Sequence, residues 1–92
     1  MKKLTLFYLE TCPYCQNAKK AVQELRAEDP AFGAVEIDWV EESREPDRAE
    51  RYDYYYVPAI FDGDTKLYEA SPLHGYAAIK SHIRAALEAA GA

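Results

Sequence analysis

The chain is 92 residues long, which suits one domain with a thin core, and its 49% hydrophobic and 29% charged residues are ordinary for a globular protein. Sixteen acidic against eleven basic residues give a formal net charge of -5, with no basic run. That balance lacks the electrostatic footprint of a nucleic-acid or anionic-membrane binder, so neither is an expected partner.

The apolar run Leu4 to Leu9 is too short for a signal-peptide core, and Glu10 closes it with no small-residue cleavage site. No window approaches the roughly 18 apolar residues of a membrane span. A cytoplasmic location is therefore expected. Two cysteines in CxxC spacing also fit a reducing compartment better than a secreted disulfide framework.

In chain order, Leu4-Thr5-Leu6-Phe7-Tyr8-Leu9 is apolar at nearly every position, which predicts a central strand covered on both faces. Thr11 and Cys12 break the pattern, and Pro13 falls where a first helical turn loses nothing by lacking an N–H. Ala18, Ala21, Val22 and Leu25 recur at helical spacing, and Asp29-Pro30 and Gly33 end that helix. Ala34 to Val40 alternates, with Val35, Ile37 and Trp39 on one face and Glu36 and Asp38 on the other, as an edge strand would. Glu41, Glu42 and Glu45 read as a solvated loop face, and Asp47 to Tyr52 as a short helix after Pro46.

Val57 to Phe61 is the next predicted strand, Asp62-Gly63-Asp64 a hairpin turn, and Lys66 to Glu69 the antiparallel return. Beyond Gly75, residues Tyr76, Ile79, Ile83, Ala86 and Leu87 trace a second long amphipathic helix. The predicted order is β-α-β-α-β-β-α, an α/β fold with a four-stranded mixed sheet flanked by three helices. No linker, repeat or low-complexity tract divides residues 1–92 into more than one domain.

Cys12 and Cys15 stand where that first strand hands over to the first helix. Orphan N–H groups and the positive dipole end at a helix start favour a thiolate on the N-terminal cysteine. A free thiol with pKa ~8.5 is mostly protonated at neutral pH, whereas helix-start CxxC cysteines fall to ~3.5–7.5. Cys12 is thus the candidate nucleophile and Cys15, one turn further in, the resolving thiol. Competing readings are a zinc half-site, a structural disulfide and an inert core pair. Zinc would need two more ligands, and only His74 and His82 are obvious nitrogen donors. The strand–CxxC–helix context within a βαβ unit favours redox chemistry.

Cys12-Pro13-Tyr14-Cys15, the Ala18-Lys19 that follows and the Val57-Pro58 dipeptide resemble the dithiol branch of the glutaredoxin family. The element order matches that family over essentially the whole chain. The resemblance implies a thioredoxin-like fold and a thiol–disulfide oxidoreductase that uses Cys12 and Cys15 and carries neither metal nor prosthetic group. It further implies a cis bond before Pro58, with the Val57 backbone turned toward bound substrate. Thr11, Pro13, Tyr14, Tyr56, Val57 and Pro58 are the substrate-binding candidates. Partners would be disulfide-containing proteins or glutathione mixed disulfides, with glutathione a candidate reducing co-substrate and the protein a monomer.

The chain departs from that family at positions that recognise glutathione. Leu9 stands where many glutaredoxins carry a lysine, and Glu69-Ala70-Ser71-Pro72-Leu73-His74-Gly75 lacks their paired glycines and acidic helix start. A second reading follows: a dedicated electron donor for a partner such as ribonucleotide reductase, re-reduced by a flavin reductase. A third is a non-enzymatic redox-sensing or metal-holding module. Tyr52, Tyr54, Tyr55 and Tyr56 are expected either beside the substrate groove or over the thin core. The first strand offers no acid as a proton acceptor for Cys15.

Overall fold

The computed structural model describes residues 3–91. Four strands, β1 (Lys3–Tyr8), β2 (Glu36–Glu41), β3 (Ala59–Asp62) and β4 (Thr65–Glu69), form one sheet in the order β2-β1-β3-β4. β1 runs parallel to β2 and antiparallel to β3, and β3 is antiparallel to β4. Helices α1 (Pro13–Glu28), α2 (Pro46–Ala49) and α3 (Tyr76–Ala89) complete the predicted β-α-β-α-β-β-α order. Among the described residues, no helix is long and apolar enough to cross a membrane.

The unbroken apolar character of β1 has a direct cause. Leu4, Leu6 and Tyr8 point into a large core with Ala18, Val22 and Leu25 of α1 and Ile79, Ile83 and Leu87 of α3. Phe7 points the other way, into a smaller cluster with Val40, Ala59 and Phe61. Period-2 alternation sends successive side chains to opposite faces, so a strand buried on both must be apolar throughout.

Tyr52 and Tyr54 roof the smaller cluster. Their rings lie 4.7 and 5.0 Å from Phe7, and Tyr52 lies 4.8 Å from Phe61. Of the two roles open to the tyrosines, these two take the core-covering one. The short helix ends at Ala49 instead of Tyr52, where the chain turns so that Tyr52 faces the sheet. Arg48 of α2 donates to Asp38 of β2 at 2.6 Å, which partners the polar face of that edge strand.

α1 ends at Glu28, and Asp29 then caps a 3₁₀ turn (Pro30–Ala34) by accepting the Ala31 N–H at 3.0 Å. β3 starts two residues later than the apolar run Val57 to Phe61 predicts. Pro58 has no N–H for the ladder, so pairing with β1 begins at Ala59 opposite Phe7. Gly63 takes φ 59° in the hairpin turn, a left-handed conformation that glycine adopts without a Cβ penalty.

The acidic stretch after β2 differs from the solvated face expected of it. Glu41 is only 7% exposed. Its carboxylate accepts the Ser43 hydroxyl, the Ser43 N–H at 2.7 Å and the Glu10 N–H at 3.1 Å. Glu42 accepts the Tyr54 hydroxyl at 3.2 Å, and Glu45 pairs with Arg48 at 3.1 Å. Glu41 therefore ties the β1–α1 connection to the end of β2, because a buried carboxylate has to be matched by donors.

Two outcomes follow. Leu25 is fully buried between α1 and the sheet, so Leu25→Ala should lower the unfolding free energy by about 2–5 kcal/mol in urea titration. A loss below about 1 kcal/mol would contradict the packing described. The Ser43 hydroxyl, with the Glu10 N–H, holds the Glu41 carboxyl below its ordinary value. A depressed folded-state pKa contributes stability above the unfolded value of about 4.3, lost as pH falls through the folded one. Glu41→Gln should thus be destabilising at pH 7, by a deficit that shrinks as pH falls below about 4.3 and through the folded-state value; a deficit that does not change with pH would count against this role.

Candidate active site

Cys12 is the N-cap of α1, with extended backbone (φ -85°, ψ 122°) and no side-chain cap bond. Its carbonyl accepts the N–H groups of Cys15 and Gln16, each at 3.1 Å, which starts the helix. Pro13 occupies the first helical position, where its missing N–H is no loss. The Cys12 side chain is half-buried at the helix mouth, whereas Cys15 is fully buried, and both are free thiols.

The last residue before the turn contacts both cysteines. The Leu9 carbonyl accepts the Cys12 N–H at 3.1 Å, and the Leu9 N–H donates to Cys15 Sγ at 3.4 Å. From the opposite side, the Cys12 thiol lies 3.7 Å from the Val57 carbonyl, as a donor to it. The Val57–Pro58 peptide is cis, as the resemblance implied. Pro58 is buried, and its carbonyl accepts the Ala70 N–H at 3.0 Å.

Burial pushes the Cys15 thiol up to about 12. The Leu9 N–H opposes that shift, while the hydrogen bond with Cys12 and the negative charges of Cys12 and Glu42 add to it. The two sulfurs are therefore unequal: one is accessible at a helix N-terminus, and the other is held as a protonated thiol beneath it.

The structure brings Cys12, Cys15, Val57 and Pro58 together, with Tyr14 and Tyr56 beside them. Tyr14 is half-buried and donates its hydroxyl to the Pro72 carbonyl at 3.2 Å, which sets the Ser71–Gly75 loop against the CxxC segment. Tyr56 is 53% exposed and Tyr55 91% exposed, on the segment leading into Val57. Thr11 and Pro13 are exposed on the approach to the helix. Leu73, in the loop that Tyr14 contacts, is 93% exposed. Exposed apolar side chains thus adjoin Val57 in one segment and Pro72 in the other.

The basic residues of α1 are engaged along its flank. Lys19 lies over the Tyr8 ring at 4.5 Å and pairs with Glu10 at 3.4 Å, and Lys20 lies over Tyr76 at 5.0 Å. The histidines weighed as zinc ligands form a stack instead. His82 lies 4.8 Å from Tyr68 and 4.9 Å from His74, and the Tyr68 hydroxyl meets His74 Nδ1 at 2.9 Å. Parallel rings do not converge their nitrogens on one ion. Among the described residues, no group of three or more His, Cys, Asp or Glu side chains is placed to hold a metal.

Two carboxylates at this site were not legible in the sequence. Glu41 fixes the Glu10 N–H just before Cys12, and Glu69 accepts the Tyr55 and Tyr56 N–H groups at 2.8 and 2.9 Å just before Val57. Neither belongs to a motif, since each acts on backbone supplied by a distant segment. The signal open to inspection was only that each acid ends a strand.

Comparison with known proteins places these observations in a family. The family model for the glutathione S-transferase N-terminal domain matches residues 6–81. A thioredoxin of Methanocaldococcus jannaschii is 35% identical over 65 residues, covering 70% of this chain and 74% of that protein. Thioredoxin 1 of Thermosipho africanus superposes with a TM-score of 0.60 at 14% identity, over 98% of this chain and 99% of its own. A thioredoxin variant from Halobacterium salinarum gives a TM-score of 0.57 at 21% identity, over 90% and 72% of the two chains. These structural likenesses show the fold, and the family model and the archaeal relative show the kinship: the chain belongs to the thioredoxin-like superfamily.

Proposed function

We propose that this protein is a dithiol oxidoreductase of the glutaredoxin type, reducing disulfides through Cys12 and Cys15. The observation that carries the reading is the pairing of a half-buried Cys12 at the α1 mouth with a fully buried Cys15 one turn inside, opposite Val57-Pro58. The thioredoxin relative and the fold support a thiol–disulfide redox role in general. The Cys-Pro-Tyr-Cys sequence supports the glutaredoxin type in particular.

The chemistry runs in two exchanges. The Cys12 thiolate attacks one sulfur of a substrate disulfide, forming a mixed disulfide and releasing the first substrate thiolate. Cys15 then loses its proton and attacks Cys12 Sγ, which releases the second substrate thiolate and leaves a Cys12–Cys15 disulfide. Two electrons have passed to the substrate, and an external dithiol or two monothiols must return them.

The order of events is built into the sulfur pair. While Cys12 carries charge, that charge and its hydrogen bond add to burial in keeping Cys15 protonated. Capping Cys12 as a mixed disulfide removes the charge, and the Leu9 N–H remains to stabilise the Cys15 thiolate. Occupying Cys12 thus lifts two of the restraints on Cys15, while burial, the largest, remains.

The electron donor has two candidates. The matched family model is named for glutathione transfer, which favours glutathione. A flavin reductase feeding a dedicated protein partner is favoured by the groups around the dithiol. Leu9 offers no cation there. Within the Ser71–Gly75 loop, the Leu73 N–H goes to Ser71 Oγ at 3.2 Å and the His74 N–H to the Ser71 carbonyl at 2.9 Å. That loop spends the Leu73 and His74 N–H groups within itself and presents an exposed Leu73 instead of an acidic pair for a γ-glutamyl amine.

A coupled assay on a protein disulfide separates the donors. The sequence lacks the lysine and acidic pair that the glutaredoxin resemblance associates with charge-assisted hydrogen bonds to glutathione, worth about 1.5–3 kcal/mol each, so thioredoxin reductase should sustain at least roughly tenfold faster turnover than glutathione with its reductase. Equal or faster turnover with glutathione would show that Leu9 and the Ser71–Gly75 loop do not set the donor. Loss of turnover with both donors in Cys12→Ser is expected in either case.

A further inference from the structure

The segment that delivers Val57 to the dithiol packs on the sheet through Tyr54, while the residues on either side of Tyr54 are exposed. Tyr55 is 91% exposed and Tyr56 53% exposed, and Asp53 is exposed as well. Beyond Tyr54 the chain therefore has little side-chain burial to fix its path into Val57. Its backbone is held by two side chains of β4, Glu69 and Lys66. Glu69, the last residue of β4, accepts the Tyr55 N–H at 2.8 Å and the Tyr56 N–H at 2.9 Å on a single carboxylate oxygen, Oε2. The other oxygen, Oε1, accepts Lys66 Nζ at 2.7 Å, and Lys66 also donates to the Asp53 carbonyl at 3.1 Å. The two side chains thus bind the segment at both ends, Asp53 and Tyr55–Tyr56.

β4 itself is anchored, since Glu69 pairs with Ala59 across the sheet and the Ala70 N–H holds the Pro58 carbonyl at 3.0 Å. Hence the position of Val57 opposite Cys12 is referred to the sheet through Glu69. Burial alone would raise the Glu69 carboxyl, but Lys66 and the N–H groups of Tyr56 and Tyr55 outweigh it and hold the group below its ordinary value. The group therefore stays ionised at neutral pH and keeps its accepting capacity.

We propose that Glu69, seconded by Lys66, is a positioning residue for the substrate groove: its carboxylate clamps the Tyr55–Tyr56 backbone so that Val57 faces a bound peptide disulfide. The proposal rests on the oxidoreductase reading. Its reach differs between substrates. A peptide disulfide extended along the groove meets the Val57 backbone, in the manner of a strand added to an edge. A minimal disulfide such as hydroxyethyl disulfide reaches Cys12 without touching that segment.

The test measures steady-state reduction of both disulfides by wild type, Glu69→Ala and Glu69→Gln, each re-reduced by whichever of glutathione with its reductase or thioredoxin reductase sustains the faster wild-type turnover, alongside amide exchange of Tyr55 and Tyr56. Glu69→Ala should raise KM for the peptide disulfide by about tenfold, the equivalent of one lost hydrogen bond, with kcat within about twofold. Its kinetics with hydroxyethyl disulfide should stay within about twofold of wild type. Exchange at the two tyrosine amides should accelerate by about tenfold or more. Glu69→Gln keeps a side-chain oxygen for both N–H groups and should fall between. An unchanged peptide KM in a folded Glu69→Ala, or an equal rise for both substrates, would overturn the proposal. A wild type that reduces neither disulfide would overturn the oxidoreductase reading and this proposal with it, and the wild-type rates alone distinguish that case.

Discussion

The end of β1 is the point on which the rest of this structure depends. Leu9 uses both of its backbone groups on the dithiol, its carbonyl on the Cys12 N–H and its N–H on Cys15 Sγ. A strand terminus can act as such a reference only if it cannot move. β1 is paired on both edges and covered on both faces, by α1 and α3 on one side and by Phe61, Tyr52 and Tyr54 on the other. The apolar run that the strand demands is therefore also what holds the sulfurs in register with the helix mouth.

Around that fixed strand end, the two loops that close the site are each tied by a strand-terminal carboxylate. Glu41 at the end of β2 holds the Glu10 N–H, and Glu69 at the end of β4 holds those of Tyr55 and Tyr56. Loops carry exposed backbone polar groups and few packing contacts, so an ionised acceptor from a neighbouring strand is an efficient anchor. With the backbone fixed in this way, Tyr55, Tyr56 and Leu73 remain exposed.

Much of this was legible in the residues. The β1 run, the helical spacing from Ala18 to Leu25, the Asp62-Gly63-Asp64 turn and the periodicity of α3 each follow from local pattern, and the structure has them where the pattern puts them. The CxxC at a strand-to-helix turn was visible for the same reason. What escaped depends on distant partners. Glu41 looked solvated because its donors, Ser43 and Glu10, converge only after β2 lies beside β1. The four tyrosines could not be divided by inspection, since Tyr52 and Tyr54 turn inward only where Phe7 and Phe61 offer a second core. The start of β3 slipped by two residues because apolar character ran ahead of the ladder, which Pro58 cannot join.

The central claim is that the two sulfurs have different tasks, Cys12 attacking and Cys15 resolving. Its most direct test is to mix reduced Cys15→Ser and Cys12→Ser variants with a peptide disulfide and follow the adducts by intact and fragment mass. The account predicts one peptide thiol joined to Cys12 in Cys15→Ser, persisting because no resolving thiol remains, and little or none on Cys15 in Cys12→Ser. Comparable adduct formation on the two sulfurs, or none on Cys12 while the wild type still consumes the disulfide, would contradict it.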